Sequence, residues 1–189
     1  ELDHRFAVSL RPTDSVLLTN LGVTHKILYL QKRDPHMLDV ADAFFSRAAE
    51  ANPYYLQARQ ERTDILVLRL TGNTGRDVNI HRRLVEANQA VLELDPFLPF
   101  IRRNLAEALY QSGNREKAYE ELLKTVELEP NYVPGYKKLA EWYGEDGNVE
   151  LSREFRDKAG SIERNYSKVT DVTDYEAIIL GRPGGSPGS

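Results

Sequence analysis

Residues 99–130 read PFIRRNLAEALYQSGNREKAYEELLKTVELEP, and this stretch decides the fold. It closes on Val126-Glu127-Leu128-Glu129-Pro130, and nearly the same phrase, Leu92-Glu93-Leu94-Asp95-Pro96, closes 34 positions earlier. Between the two prolines, apolar residues recur at the three- and four-residue spacing of an amphipathic helix. A proline ends one helix and suits the first turn of the next, where a missing amide hydrogen costs nothing. The stretch therefore predicts a pair of helices that repeats along the chain.

The same pattern extends in both directions and predicts four helical units after a partial one. Residues 32–36, Lys-Arg-Asp-Pro-His, predict a lengthened turn in the first unit, and residues 71–75 predict an insertion in the second. The register of the second unit's first helix, about residues 54–70, stays open, because no Leu-Gly pair marks it. The partial repeat covers residues 1–12, and the units cover about 14–53, 54–96, 97–130 and 131–166.

Residues 99–130 resemble a tetratricopeptide repeat (TPR), in which antiparallel helices A and B nest through small and large apolar residues. The positions that match are Leu105-Ala106, Leu109, the turn Gly113-Asn114, Ala118, Leu122 and Pro130. The next unit repeats Leu139-Ala140, Tyr143 and Ala159 but departs from the family at Arg156. The resemblance implies an all-α fold, a right-handed α-α superhelix of about four helix-turn-helix units. A plain helical bundle is the alternative, but it would not repeat the Leu-Glu-Leu phrase at this period.

The carboxy-terminal residues change in character after Ser167. Thr173-Asp174-Tyr175-Glu176 has the form of a capping box and predicts a short helix as far as Leu180. We expect residues 167–180 to cap the apolar end of the last unit; docking into a groove or onto a second copy of the chain is the alternative. Residues 181–189 are rich in Gly, Pro and Ser and predict a flexible tail.

Composition argues against most catalytic and nucleic-acid functions. The net charge is −4 and the chain has no cysteine, so it offers no overall electrostatic footprint for nucleic acid and no thiolate chemistry. The four histidines lack the spacing of a metal site, and no glycine-rich loop has the pattern of a phosphate site. We therefore predict no catalytic residue, no metal and no cofactor. The compartment stays open, with the cytoplasm favoured; membrane contact is expected only through a larger parent protein.

The resemblance also implies a binding surface, because in that family the A helices line a concave groove that holds a partner peptide or helix. Basic residues are frequent on the A helices, whereas Glu116, Glu120 and Glu121 fall on a B helix, where we expect them to be solvated. This distribution favours an acidic partner; solvated surface charge is the equally weighted alternative. The carboxylate clamp of co-chaperones is not predicted, since the first unit lacks its residues. The predicted partner-binding residues are Arg59, Arg62, Phe100, Arg103, Asn104, Glu107, Tyr110, Lys137, Lys138 and Glu141.

The predicted function is a protein-interaction scaffold that binds a peptide or helix of another protein. Because the chain begins inside a repeat and without Met, one alternative is the non-catalytic docking tail of a larger enzyme, for example a bacterial membrane glycan ligase or a glycosyltransferase. A second alternative is a self-assembly module that forms a homo-oligomer through the carboxy-terminal helix.

Overall fold

The computed structural model describes residues 13–72 and 79–169, with side chains as far as Asn165. This part of the chain is entirely helical and contains no β-strand. The predicted partial repeat at 1–12, the short helix at 173–180, the tail at 181–189 and most of the predicted insertion lie outside the described residues. The eight helices within the described residues are α1 (Ser15–Lys32), α2 (His36–Ala51), α3 (Leu56–Thr71), α4 (Ile80–Leu92), α5 (Pro99–Gln111), α6 (Arg115–Leu128), α7 (Val133–Glu145) and α8 (Val149–Val169).

Local sequence explains where these helices start and stop. The Asp14 carboxylate accepts a hydrogen bond of 3.0 Å from the Leu17 amide and caps α1. Pro99 and Pro134 lie in the first turns of α5 and α7, where a helix tolerates proline. The tight turns that follow α5 and α7 use Gly113 at φ +87° and Gly147 at φ +78°, a region that glycine adopts without strain.

The predicted lengthened turn of the first unit is not present. Only Arg33, Asp34 and Pro35 separate α1 from α2, and Arg33 adopts the left-handed conformation that ends α1. The additional residues lie in the helices instead: α1 and α2 have 18 and 16 residues, whereas α5 and α6 have 13 and 14. Of the charged run that suggested a longer loop, Lys32 therefore belongs to the last turn of α1 and His36 to the first turn of α2.

The chain divides into two compact units, Glu1–Glu121 and Leu122–Ser189, with the boundary inside α6. In the first unit, successive helices from α1 to α5 pack against one another. One core cluster joins α1, α2 and α3 through Tyr29, Phe45 and Ile65, and another joins α3, α4 and α5 through Leu66, Leu84 and Ala108. Burial of these apolar side chains is the main stabilising contribution.

In the second unit, α7 packs against α8. Leu139, Ala140 and Ala159 are buried at the positions that the repeat predicts. The Ser152 hydroxyl donates a buried hydrogen bond of 2.7 Å to the Ala140 carbonyl, which links the two helices.

Burial also settles the register of α3 that the sequence left open. Pro53 precedes Pro96 by 43 positions. With that offset, buried Ala58, Thr63 and Leu66 of α3 fall at the places of buried Ile101, Ala106 and Leu109 of α5. Arg62-Thr63 therefore occupies the place of Leu105-Ala106, and an arginine stands where the repeat pattern has leucine.

Candidate functional site

The exposed face of α5 holds five of the predicted binding residues. Phe100 is 42% exposed. The Arg103 guanidinium donates to the Asn104 side chain at 3.2 Å and pairs with Glu107 at 3.6 Å. Tyr110 is half-buried against α6, with the Tyr119 ring 6.5 Å away and the Arg115 guanidinium 4.7 Å from its centroid. This face therefore combines an exposed aromatic ring with a charge pair that is close to neutral.

On α7 the predicted residues pair with carboxylates of their own unit. Lys137 Nζ lies 2.6 Å from Glu163 of α8, and Lys138 Nζ lies 2.9 Å from Glu141. Lys137, Glu141 and Glu163 line a hollow of about 440 Å³ together with Ala140 and Ala159. The predicted positive charge of this helix is therefore paired with carboxylates of α7 and α8.

Arg59 and Arg62 lie elsewhere than the sequence predicts. We expected them on the groove-lining face of an A helix, but their neighbours come from α2 and α4, which are B helices. The register explains the difference, because they occupy the places of Arg102 and Leu105 rather than those of Phe100 and Arg103. The structure still brings both arginines together, in a hollow of the first unit.

This hollow has a volume of about 260 Å³, and we call it the arginine hollow. Leu66, Ala87 and Ala90 supply its apolar surface, and three arginines with two carboxylates supply its polar surface. Arg83 and Ala87 were not predicted, because they come from α4, which the fold brings beside α3. The hollow is lined by Asp42, Arg59, Arg62, Leu66, Arg83, Glu86, Ala87 and Ala90.

Hydrogen bonds hold the α3 arginines of the hollow from one side. Arg59 Nε donates to the Pro53 carbonyl at 3.1 Å, and Arg62 Nε donates to Asp42 Oδ1 at 3.2 Å. Asp42 also lies 3.6 Å from Arg69, which in turn binds Asp39 at 2.9 Å. Asp42 and Arg62, which line the hollow, therefore belong to an ion-pair network between α2 and α3.

Arg102 is a second arginine whose role the sequence did not reveal. It is 5% exposed, donates to the Pro96 carbonyl at 2.8 Å, and forms an ion pair with Glu121 of α6. The prediction that Glu121 is a solvated carboxylate is therefore wrong. Burying a guanidinium requires such partners, so Arg102 ties α5, the preceding turn and α6 together.

Lys26 forms the corresponding tie between α1 and α3. Its ammonium group binds Glu61 and lies 3.2 Å from Asp64. Burial opposes the charged form, but the two carboxylates outweigh it and raise the pKa of Lys26 above its ordinary 10.5. This is the pattern of a structural ion pair and not of a catalytic base, which would need a lowered pKa.

Within residues 13–72 and 79–169, no group of three or more His, Asp or Glu side chains could hold a metal ion. In the same ranges no helix is both long enough and apolar enough to cross a membrane.

No protein-family model matches the chain, and no curated protein matches it. Solved structures do match. A crystal structure of MamA superposes with a TM-score of 0.71 at 16% identity, over 87% of this chain and 87% of that chain. MamA from Desulfovibrio magneticus RS-1, residues 41 to the end, gives 0.67 at 16% identity, over 84% and 80% of the two chains. MamA MSR-1 gives 0.59 at 19% identity, over 81% and 79%.

At these identities the likeness concerns the fold. MamA is a TPR-like all-helical protein, so the predicted all-α, TPR-like helical-repeat fold is confirmed.

Proposed function

We propose that the chain is a member of the TPR family that acts as a protein-interaction scaffold, without catalysis of its own, and binds a peptide or helix of another protein. The observation that supports this function is a pair of exposed aromatic rings at equivalent turns. Tyr54 is 82% exposed before α3, and Phe97 is 72% exposed before α5. Aromatic side chains contribute most to protein interfaces because each buries a large apolar area while few rotatable bonds lose freedom.

Both rings are held by the same backbone device. The Tyr54 amide donates to the Asn52 side chain at 3.1 Å, and the Phe97 amide donates to the Asp95 side chain at 3.0 Å. These turns fix the backbone beneath the rings before any partner arrives. A preorganised anchor loses less conformational entropy on binding, which favours a docking role.

The face of α5 extends the surface that begins at Phe97. Phe100 follows one turn later and is partly exposed, and the Arg103–Glu107 pair lies on the same side of the helix. An apolar anchor beside a mixed charge pair is typical of the border between the core and the rim of an interface. Lys137, Lys138 and Glu141 of the second unit are proposed as further partner contacts.

The test is a pull-down from native extract, followed by calorimetry with the purified partner. We compare wild type with Phe97→Ala/Phe100→Ala and with Leu30→Ala, a control that truncates a residue 44% exposed on α1. We expect the double variant to weaken binding by about tenfold or more, and the control to bind as wild type does. Equal binding by the folded double variant would exclude this surface.

The two alternatives from the sequence stay predictions. Light scattering over a dilution series tests self-assembly, and the full reading frame tests whether the chain is the non-catalytic docking tail of a larger enzyme.

A further inference from the structure

The arginine hollow lies where the second unit has a small side chain and the other units have a large one. Arg102 of α5 binds the Pro96 carbonyl and Glu121. Arg59 of α3 binds the Pro53 carbonyl, also six residues back along the chain, but through Nε where Arg102 uses Nη2. The position equivalent to Glu121, however, is Ala87. Arg59 therefore has the backbone contact of Arg102 without its carboxylate.

The equivalence of Ala87 and Glu121 rests on burial as well as on spacing. The phrases that end at Pro96 and Pro130 align α4 with α6 at an offset of 34. At this offset three pairs of buried residues coincide: Leu84 with Ala118, Asn88 with Leu122, and Val91 with Thr125.

In the other described units, side chains from both helices of the pair fill the place that Arg59 and Ala87 occupy in the second unit. In the first unit, Leu18 belongs to an apolar cluster against which Phe44 packs. In the fourth, the rings of Tyr136 and Phe155 lie 6.3 Å apart. The third has the Arg102–Glu121 ion pair. Among these four units, only the second has an alanine, Ala87, at this position of its B helix, and the hollow lies there.

The guanidinium groups are oriented for a ligand. Arg59 and Arg62 each use Nε for an internal hydrogen bond. Those bonds hold each group by its side edge and leave the Nη1–Nη2 edge as the donor pair for a planar anion. A carboxylate accepts two parallel hydrogen bonds from such an edge.

The charge of the hollow favours an anion. Its lining has three arginines against Asp42 and Glu86, and these two carboxylates also pair with Arg69 and Arg82 beside the hollow. Leu66, Ala87 and Ala90 add apolar surface for the neighbouring part of the ligand.

We propose that the arginine hollow binds a carboxylate of a partner peptide, placed beside an apolar side chain and taking the position that Glu121 occupies in the next repeat. The proposal rests on the scaffold function above and specifies the chemistry of the partner. It gives Arg59 and Arg62 the acidic ligand that the sequence predicts, at a site between α2, α3 and α4.

The first experiment fills the hollow from within. Ala87→Glu restores the carboxylate of the other repeat, and Ala87→Gln is the matched control of the same size without charge. We expect Ala87→Glu to fold, to melt at a higher temperature than Ala87→Gln, and to lose binding of acidic peptides. A glutamate variant that is no more stable than the glutamine variant and still binds acidic peptides would overturn the proposal.

The second experiment measures binding by NMR, following the Nε–Hε signals of the arginines. The probes are a synthetic peptide with one glutamate beside a leucine, blocked at both ends, its glutamine counterpart, and a peptide whose only carboxylate is its free C-terminus. We expect a carboxylate-bearing peptide to bind about tenfold more tightly than the glutamine peptide. The better of the two carboxylate peptides identifies a side-chain or a terminal source.

Arg59→Gln should abolish this preference, whereas Lys117→Gln, an exposed charge on α6, should retain it. Equal binding of the glutamate and glutamine peptides to the wild type, or a preference that survives Arg59→Gln, would overturn the proposal. The outcome is separable from that of the scaffold function. If a purified partner binds the Ala87→Glu variant normally but does not bind the Phe97→Ala/Phe100→Ala variant, the scaffold function is supported and the hollow is excluded as its binding site. If carboxylate peptides bind but no partner protein is found, only the hollow is supported.

Discussion

Gly22 of α1 lies directly against the ring of Phe45, which is fully buried. A Cβ added at Gly22 would lie 2.7 Å from Phe45 Cδ1 and 2.8 Å from Cζ, closer than real Cβ contacts. Alanine gains about 1 kcal/mol over glycine in a helix interior, but overpacking costs about 1–3 kcal/mol when the neighbour cannot move. Since Phe45 is enclosed by Tyr29, Leu38 and Ile65, we predict that Gly22→Ala lowers the unfolding free energy.

Gly160 of α8 provides the control for this prediction. The atom nearest to a Cβ added there is Nη1 of Arg164, at 3.2 Å, and that is the end of a flexible side chain. Gly160→Ala should therefore raise the unfolding free energy by about 0.5–1 kcal/mol. Urea titrations of both variants measure the effect. A Gly22→Ala variant as stable as wild type would show that Phe45 has room to move.

At the scale of helices, Arg102 and Arg59 stand at equivalent places with different partners. Truncating Arg102 removes its ion pair with the half-buried Glu121 carboxylate and its hydrogen bond to the Pro96 carbonyl. We predict that Arg102→Ala lowers the unfolding free energy by about 2–4 kcal/mol. Arg59→Ala removes one hydrogen bond to the Pro53 carbonyl and should cost about 1 kcal/mol. Equal losses in the two variants, measured by urea unfolding, would contradict the contrast between the filled and the open position.

The sequence predicted much of the fold because a helix pair of this kind needs few residues to define it. Leu105-Ala106, Ala118 and the prolines at a fixed period recur wherever two helices must approach closely. The lengths of α1 and α2 could not be predicted, because the charged residues between them suit a helix terminus as well as a loop. Spacing alone could not distinguish the two.

The candidate site was predicted less completely, for two physical reasons. Arg62 replaces the leucine that would have set the register of α3, so Arg59 and Arg62 were assigned to the wrong face. Ala87 and Arg83 reach the hollow only because α4 packs beside α3, and this is a contact between segments. In the sequence, the hollow is indicated only by the alignment of Ala87 with Glu121. That alignment becomes secure only when the buried residues are known.

At the scale of the whole molecule, each compact unit contains a group that holds its proton more tightly in the folded state. The first has Lys26, whose pKa Glu61 and Asp64 raise above 10.5 against the effect of burial. The second has Tyr136 and Tyr143. Burial raises the pKa of both phenols above their ordinary 10.0, and the charge of Asp146 raises that of Tyr143 further.

These three shifts have the same consequence for stability. A group whose folded-state pKa exceeds its unfolded value contributes its full stabilisation below the unfolded pKa and loses it as the pH rises through the folded pKa. We therefore predict that the unfolding free energy is flat with respect to these groups up to about pH 9 and falls above about pH 10. Tyr143→Phe cannot ionise at this position, so its stability should fall less over the same range.

Urea titrations at closely spaced pH values, with the ultraviolet absorbance of phenolate recorded on the folded protein, measure both quantities. The prediction is contradicted if phenolate forms at the ordinary tyrosine pKa and if wild type and Tyr143→Phe lose stability equally. That result would show that burial does not control the ionisation of the Tyr143 ring, which stacks on Phe155 at 5.5 Å.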